Sequence, residues 1–176
     1  MTLKTFTEID GGRLTDKGTN HGYLAVYEML FASLRDKPVS LLEIGVDKGG
    51  SLKMWDEAFP LGTVWGCDIS AQYQDGRVKV LDSLDGAAVE RAFGGMMFDI
   101  IIDDGNHELR YQVGTYNNFR SHLAPGGIYV IEDVSGIDTC ADVFRRLDPE
   151  RKVGIVDLTI VMGHWDDTLV VVRAKP

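Results

Sequence analysis

Five short apolar, β-rich runs separated by segments of helical length constrain this chain more than any other feature. They are Ser40–Val46, Thr63–Ile69, Val78–Leu81, Phe98–Asp103 and Gly127–Glu132. One intervening segment carries Leu52, Trp55 and Phe59. Another carries Leu109, Val113, Tyr116, Phe119 and Leu123, at the three- and four-residue spacing of a single helical face, and Ala124-Pro125-Gly126-Gly127 then stops it. Strand–helix alternation of this kind predicts an α/β fold, a parallel sheet covered by helices on both faces. The C-terminal end breaks the rhythm. Gly154–Val161 and Thr168–Arg173 are joined only by Met162-Gly163-His164-Trp165-Asp166-Asp167. That connection is too short for a parallel crossover, so these two strands are expected to be antiparallel.

The chain has 176 residues and shows no internal repeat, low-complexity tract or linker, so residues 1–176 are expected to form a single domain. The first dozen residues are polar and glycine-bearing and are expected to be loosely held. A net charge of -9 disfavours the nucleic-acid backbone as a partner while leaving a small cationic ligand open. Cys67 and Cys140 form no spaced motif and read as ordinary reduced thiols. No signal peptide or membrane-length apolar window is visible, and the expected location is the cytoplasm.

Acids collect at the strand ends. Leu41-Leu42-Glu43-Ile44-Gly45-Val46-Asp47-Lys48-Gly49-Gly50-Ser51 reads as a strand, a glycine turn and a helix start, where Gly45 and Gly49 allow a ligand close to the backbone. It is neither the G-x-G-x-x-G of nicotinamide and flavin enzymes nor a phosphate-cradling Walker sequence. Glu43 would repel a pyrophosphate but suits a ligand with an ammonium or sulfonium charge. Asp68 ends the second run, where an acid can accept both ribose hydroxyls, and Asp82 ends the third, within reach of an adenine amino group. A glycine turn after a strand is also common without any ligand.

Two acidic runs, Asp103-Asp104-Gly105-Asn106-His107 and Glu132-Asp133, follow the fourth and fifth strands. If those strands are parallel neighbours, several carboxylates and one imidazole meet at one sheet edge. Burying carboxylates unpaired costs several kcal/mol each, so a hard cation with a base beside it is the expected resolution. Zinc fits less well, because no Cys or His cluster accompanies the acids in the sequence. Either run alone reads equally as helix capping and solvation.

These pieces resemble the class I S-adenosylmethionine-dependent methyltransferases, and among them the metal-dependent O-methyltransferases of macrolide sugars, the mycinamicin and demethylmacrocin type. The resemblance runs from Leu14 to Val172. It is carried by Thr15-Asp16-Lys17-Gly18-Thr19, Leu42-Glu43-Ile44-Gly45-Val46, Gly50-Ser51-Leu52-Lys53-Met54-Trp55, Gly66-Cys67-Asp68-Ile69, Ile102-Asp103-Asp104-Gly105-Asn106-His107 and Gly127-Ile128-Tyr129-Val130-Ile131-Glu132-Asp133. It implies a doubly wound, mostly parallel, seven-stranded Rossmann-like methyltransferase sheet with a C-terminal antiparallel hairpin. It places metal ligands at Asp104, Glu132 and Asp133, and the general base at His107. Donor contacts fall at Glu43, Gly45, Gly49, Ser51, Asp68, Asp82 and Asp103, with Thr15, Lys17, Gly18 and Thr19 closing over them. Asp103 also reads as a residue that caps or orients its neighbours. The family has Ser where this chain has Asn106, and the macrolide enzymes carry an added N-terminal region that this sequence lacks, which leaves the acceptor and the assembly open.

The function so implied is transfer of the methyl of S-adenosylmethionine to a hydroxyl of a sugar or glycosylated natural product, with Mg2+ lowering the hydroxyl's effective pKa and His107 taking its proton. A small-molecule acceptor with vicinal oxygens is expected, with no nucleic acid or membrane partner; a homo-oligomer is compatible. A catechol acceptor, or a non-catalytic S-adenosylmethionine-binding module, are the alternatives. Of the remaining candidates, His21 is read evenly as a helix cap or a donor contact, His122 as a group at a helix's negative end, and His164 with Trp165 as either acceptor wall or plain turn. Arg110 and Tyr111 are read as acceptor-lining or exposed helix positions.

Overall fold

The computed structural model describes residues 4–70, 72–73 and 75–176, with backbone alone for 137–139. Its strands are β1 (Ser40–Ile44), β2 (Thr63–Asp68), β3 (Val78–Val80), β4 (Phe98–Asp103), β5 (Leu123–Ile131), β6 (Lys152–Asp157) and β7 (Thr168–Arg173). Its helices are α1 (Asp16–Thr19), α2 (Tyr23–Phe31), α3 (Gly50–Ala58), α4 (Gly86–Phe93), α5 (Leu109–Phe119), α6 (Ile137–Leu147) and α7 (Thr159–Met162). The seven strands form one sheet in the order β3-β2-β1-β4-β5-β7-β6. β1 to β5 pair in parallel, and β7 runs antiparallel to both β5 and β6, as the short final connection requires.

The two-residue strand period puts alternate side chains into two apolar layers. Along β5, Ile128 and Val130 join one layer while Tyr129 and Ile131 join the other; along β7, Leu169 and Val171 oppose Val170 and Val172. The first layer is completed by Tyr23, Tyr27 and Phe31 of α2 and by Leu52, Met54 and Trp55 of α3. The second is completed by Phe93 of α4, Tyr116 and Phe119 of α5 and Phe144 of α6. Each large apolar side chain buried this way contributes about 1.5–3 kcal/mol of transfer free energy.

Several element ends differ from the sequence reading. The N-terminal segment is docked rather than loose: Phe6 and Ile9 are buried in the first layer, and the Phe6 amide donates to Glu28 Oε2 at 2.8 Å. β5 begins at Leu123, ahead of the expected helix-stopping Ala124–Gly127, because Leu123 already pairs with Phe98 across a register shift in β4. β6 ends at Asp157 rather than Val161. The Asp157 carboxylate accepts from the Thr159 amide and hydroxyl (2.9 and 2.6 Å) and starts the single turn α7, which leaves Ile160 and Val161 exposed.

This strand order makes β1 and β4 neighbours whose connections leave in opposite directions. The carboxyl end of such a switch point is where open α/β sheets bind ligands. Main-chain bonds lock that edge in register: the Asp104 amide donates to the Ile44 carbonyl at 2.8 Å and the Glu132 amide to the Asp103 carbonyl at 2.9 Å. The acids of β1, β4 and β5 therefore converge. Among the described residues no helix is long and apolar enough to cross a membrane.

Candidate active site

A cavity of about 960 Å³ opens at this edge, lined by Leu14, Thr15 and Asp16, by the turn from Ile44 to Lys48, and by Gly50 and Ser51. Cys67, Asp68 and Ile69 of the β2 end, residues 81–84, Asp104 to His107 and Tyr111 complete it. Gly45 is required here by sterics. Its φ is +89°, and a Cβ on it would lie 2.1 Å from the Asp104 carbonyl oxygen, so a side chain would pry β1 from β4. Gly49 (φ +77°) caps α3 with no room for a side chain beside Tyr73.

Asp68 holds the glycine turn. Its Oδ2 accepts the Val46 and Asp47 amides at 2.8 and 3.0 Å, and its Oδ1 accepts the Ser70 amide and hydroxyl at 2.8 and 3.1 Å. Burial works against the ion, yet these donors keep the carboxyl below its ordinary range. Asp82 Oδ1 accepts the Leu84 amide at 2.9 Å and also faces the cavity.

Beyond the cavity lip the acids are tightly bonded. His107 Nε2 stands 3.5 Å from Asp104 Oδ1 and 3.4 Å from Asp133 Oδ2, and the three groups lie close enough to share one ion. The hydrogen bond to Asp104 raises the His107 pKa above its usual value, against the effect of burial. Asp133 sits at φ +52°, a left-handed conformation uncommon for a non-glycine residue, which aims its carboxylate back towards His107. The Tyr23 hydroxyl donates to Asp133 Oδ1 at 2.6 Å, and the Tyr27 hydroxyl donates to Glu132 Oε1. Gln112 Nε2 donates to the Glu132 carbonyl at 3.0 Å.

Lys17 enters the same cluster. Its side chain is only 1% exposed, and its ammonium donates to Asp104 Oδ2 and, at 2.7 Å, to Glu132 Oε2, with Glu43 Oε1 3.5 Å away. Burial alone would lower its pKa; the three carboxylates overcome this and hold the ammonium charged. The sequence reading placed Lys17, Gly18 and Thr19 over the donor. Instead Thr15 lines the cavity, while Lys17 is turned beneath it into the acids, and Gly18 and Thr19 stand off the lining. Glu43 likewise stands behind Ser51, whose hydroxyl donates to its Oε2 at 2.6 Å, and burial pushes its carboxyl up to about 7. Asp103, read both as a donor contact and as an orienting residue, is buried away from the lining; its Oδ1 accepts the Gly105 amide at 3.3 Å, so orientation is the geometry observed.

A hard cation fits the donor set of Asp104 and Asp133, whose Oδ1 and Oδ2 atoms respectively converge on the point that His107 Nε2 faces. Glu132 stands behind them with both oxygens already hydrogen-bonded, leaving one lone pair on each for an ion.

The other histidines resolve differently. His21 is neither a cap nor a cavity residue: its Nδ1 lies 2.7 Å from Asp167 Oδ1 and 3.5 Å from Asp133 Oδ1, and its ring stacks on Tyr23. With His164 and Asp167 it forms a second cluster of possible metal ligands, which corrects the expectation that no His cluster accompanies the carboxylates. Asp167 is 146 residues from His21, a proximity the sequence does not advertise. His122 is buried in the turn after α5, its Nδ1 3.2 Å from the Met96 carbonyl oxygen. Tyr111 lines the cavity, and Arg110 lies over its ring. Sequence reasoning missed Tyr23, Tyr27, Gln112 and Asp167. The one available signal was the four-residue spacing of Tyr23 and Tyr27, which puts both hydroxyls on one face of α2.

No protein-family model matches the chain. A rhamnosyl tetracenomycin-C 2'-O-methyltransferase of Streptomyces olivaceus is 38% identical over 132 residues, covering 68% of this chain and 35% of the relative. The demethylmacrocin O-methyltransferase of Streptomyces fradiae is 36% identical, covering 72% of this chain and 35% of its own. The mycinamicin VI 2''-O-methyltransferase of Micromonospora griseorubida is 33% identical, covering 90% and 49%. The MycE methyltransferase of the mycinamycin pathway, solved with Mg, S-adenosylhomocysteine and mycinamycin VI, superposes with a TM-score of 0.76 at 25% identity, over 98% of this chain and 55% of that one. At 12% identity, a ribosomal RNA methyltransferase of Plasmodium falciparum shares the fold, with a TM-score of 0.62. The chain spans between a third and a half of the length of these curated relatives. Over the part that it spans, the chain has the α/β methyltransferase fold and is a homologue of the sugar O-methyltransferases of the mycinamicin and demethylmacrocin type.

Proposed function

We propose that this chain carries the donor and cation sites of an O-methyltransferase that moves the methyl of S-adenosylmethionine to a hydroxyl with a neighbouring oxygen on a sugar-bearing small molecule. The observation that carries the reading is His107 Nε2 poised between Asp104 and Asp133, at the lip of the cavity behind the glycine turn. When bound, Mg2+ would lower the pKa of the acceptor hydroxyl, and the sulfonium donor would supply the methyl.

The residues divide the remaining work. Asp104 and Asp133, with Glu132 behind, provide hard oxygen ligands for the cation. His107 Nε2 accepts the hydroxyl proton. Gly45 and Asp68 shape the floor on which a nucleoside lies, and Ser51 and Asp82 face the same space. Leu14, Thr15 and Asp16 close its outer side and limit water.

The test is transfer from methyl-labelled S-adenosylmethionine to separate panels of glycosides and catechols, with Mg2+ and with EDTA. Label on a glycoside that EDTA abolishes supports the reading. Label confined to catechols moves the acceptor class, and donor binding without transfer to any acceptor favours a non-catalytic module.

A further inference from the structure

The segment that walls the cavity and the acid cluster are joined by one side chain. The 3-10 turn Asp10–Leu14 lies across α3, so closely that a Cβ on Gly50 would meet the Leu14 carbonyl oxygen at 2.0 Å and one on Gly11 the Met54 Cα at 2.5 Å, and α1 packs on that turn. Glu57 Oε1 and Oε2 accept the Asp10 and Gly11 amides at 3.2 and 3.0 Å. At the other end, Lys17 reaches down into the acids. Glu43 Oε1 has no hydrogen-bond partner, with the Lys17 ammonium 3.5 Å away, and Glu132 Oε2 accepts from Lys17 alone among the described side chains. Without Lys17, the buried carboxylates of Glu43 and Glu132 and the half-buried one of Asp104 would lose their shared countercharge.

We propose that Lys17 is a latch between the two halves of the site: it holds the 10–19 segment closed over the donor cavity, and it occupies carboxylate oxygens of Asp104 and Glu132 that would otherwise bind a divalent cation more strongly. Lys17 is therefore a positioning residue that tightens donor binding and weakens cation binding. The donor half of this inference rests on the function proposed above; the latch and the cation half do not. A countercharge fixed on the protein competes with a divalent ion for the same oxygens, whereas one that only stabilised the fold would not alter cation affinity in a specific direction.

The test compares the wild-type chain with Lys17→Met, which keeps the length of the stem and removes the charge. Hydrogen exchange at amides 10–19 is expected to accelerate at least tenfold. Mn2+ affinity, followed by electron paramagnetic resonance, is expected to tighten about tenfold as Asp104 Oδ2 and Glu132 Oε2 are released, and S-adenosylhomocysteine affinity to fall about tenfold. If Lys17→Met does not fold, the double variant Lys17→Met/Glu132→Gln removes one charge of each sign and reads the same exchange. Unchanged exchange at 10–19 in a folded variant, or Mn2+ affinity that stays the same or weakens in Lys17→Met, overturns the proposal. A wild-type chain that binds no nucleoside would sink the methyltransferase reading, while the exchange and Mn2+ readouts would still decide the latch.

Discussion

Asp103→Asn should stabilise the protein at and above neutral pH and leave stability unchanged in acid. Asp103 is 2% exposed, its Oδ2 has no partner, and its Oδ1 accepts only the Gly105 amide. Burial, reinforced by the charge of Asp104, pushes its carboxyl up to about 7 from the ordinary 3.8. A group whose folded pKa is raised holds its proton longer in the native state, so its contribution to stability is full below about 3.8 and is lost as pH rises towards 7. At 1.36 kcal/mol for each pH unit, the ionised carboxylate costs the fold up to about 4 kcal/mol at pH 8. Asparagine keeps the acceptor for the Gly105 amide and carries no charge, so most of that cost should disappear. For a chain of this size that gain corresponds to roughly 10 °C in Tm. Urea denaturation of both proteins from pH 4 to pH 9 reads the effect directly. Curves that converge near pH 4 and separate by several kcal/mol at pH 8 are expected. A constant offset, or a variant less stable than wild type at pH 8, would refute the burial argument.

Two other substitutions test the frame around the acids. Gly45→Ala forces a Cβ into the Asp104 carbonyl at a φ of +89°, so it should cost about 2 kcal/mol or more and weaken nucleoside binding, read by urea midpoint and calorimetry. Tyr27→Phe removes the hydroxyl donor to Glu132 and leaves a buried oxygen short of a partner; a loss of about 1–3 kcal/mol in the urea midpoint is expected, while Tyr111→Phe, at the cavity lining, should leave stability unchanged within error.

Much of the fold could be read from the chain because its signals are local. The apolar runs and their spacings are properties of neighbours in sequence, and the six residues between the last two runs allow only an antiparallel return. The placement of Asp104, His107 and Asp133 at one edge follows from β4 and β5 being parallel neighbours, a condition that the sequence leaves open and the sheet meets. What could not be read was long-range. Lys17 is read from the sequence as closing over the donor with Thr15, Gly18 and Thr19, and only folding sets its ammonium beside Glu132, 115 residues away. His21 meets Asp167 in the same way. Local competition explains the misplaced ends: Asp157 offers its carboxylate to Thr159 and ends β6 early, although Ile160 and Val161 look like strand residues. The docked N-terminus was hidden because its apolar residues, Met1, Leu3, Phe6 and Ile9, are scattered among polar ones and too few to mark an element.

The central claim is that Asp104 and Asp133, rather than Asp103, hold a divalent cation beside His107. Its most direct test is a Mn2+ titration, by calorimetry or paramagnetic resonance in the presence of S-adenosylhomocysteine, of wild type, Asp103→Asn and Asp104→Asn. One ion bound by wild type and by Asp103→Asn, with at least a hundredfold weaker binding by Asp104→Asn, is the predicted result. Equal binding by Asp104→Asn and wild type would contradict it.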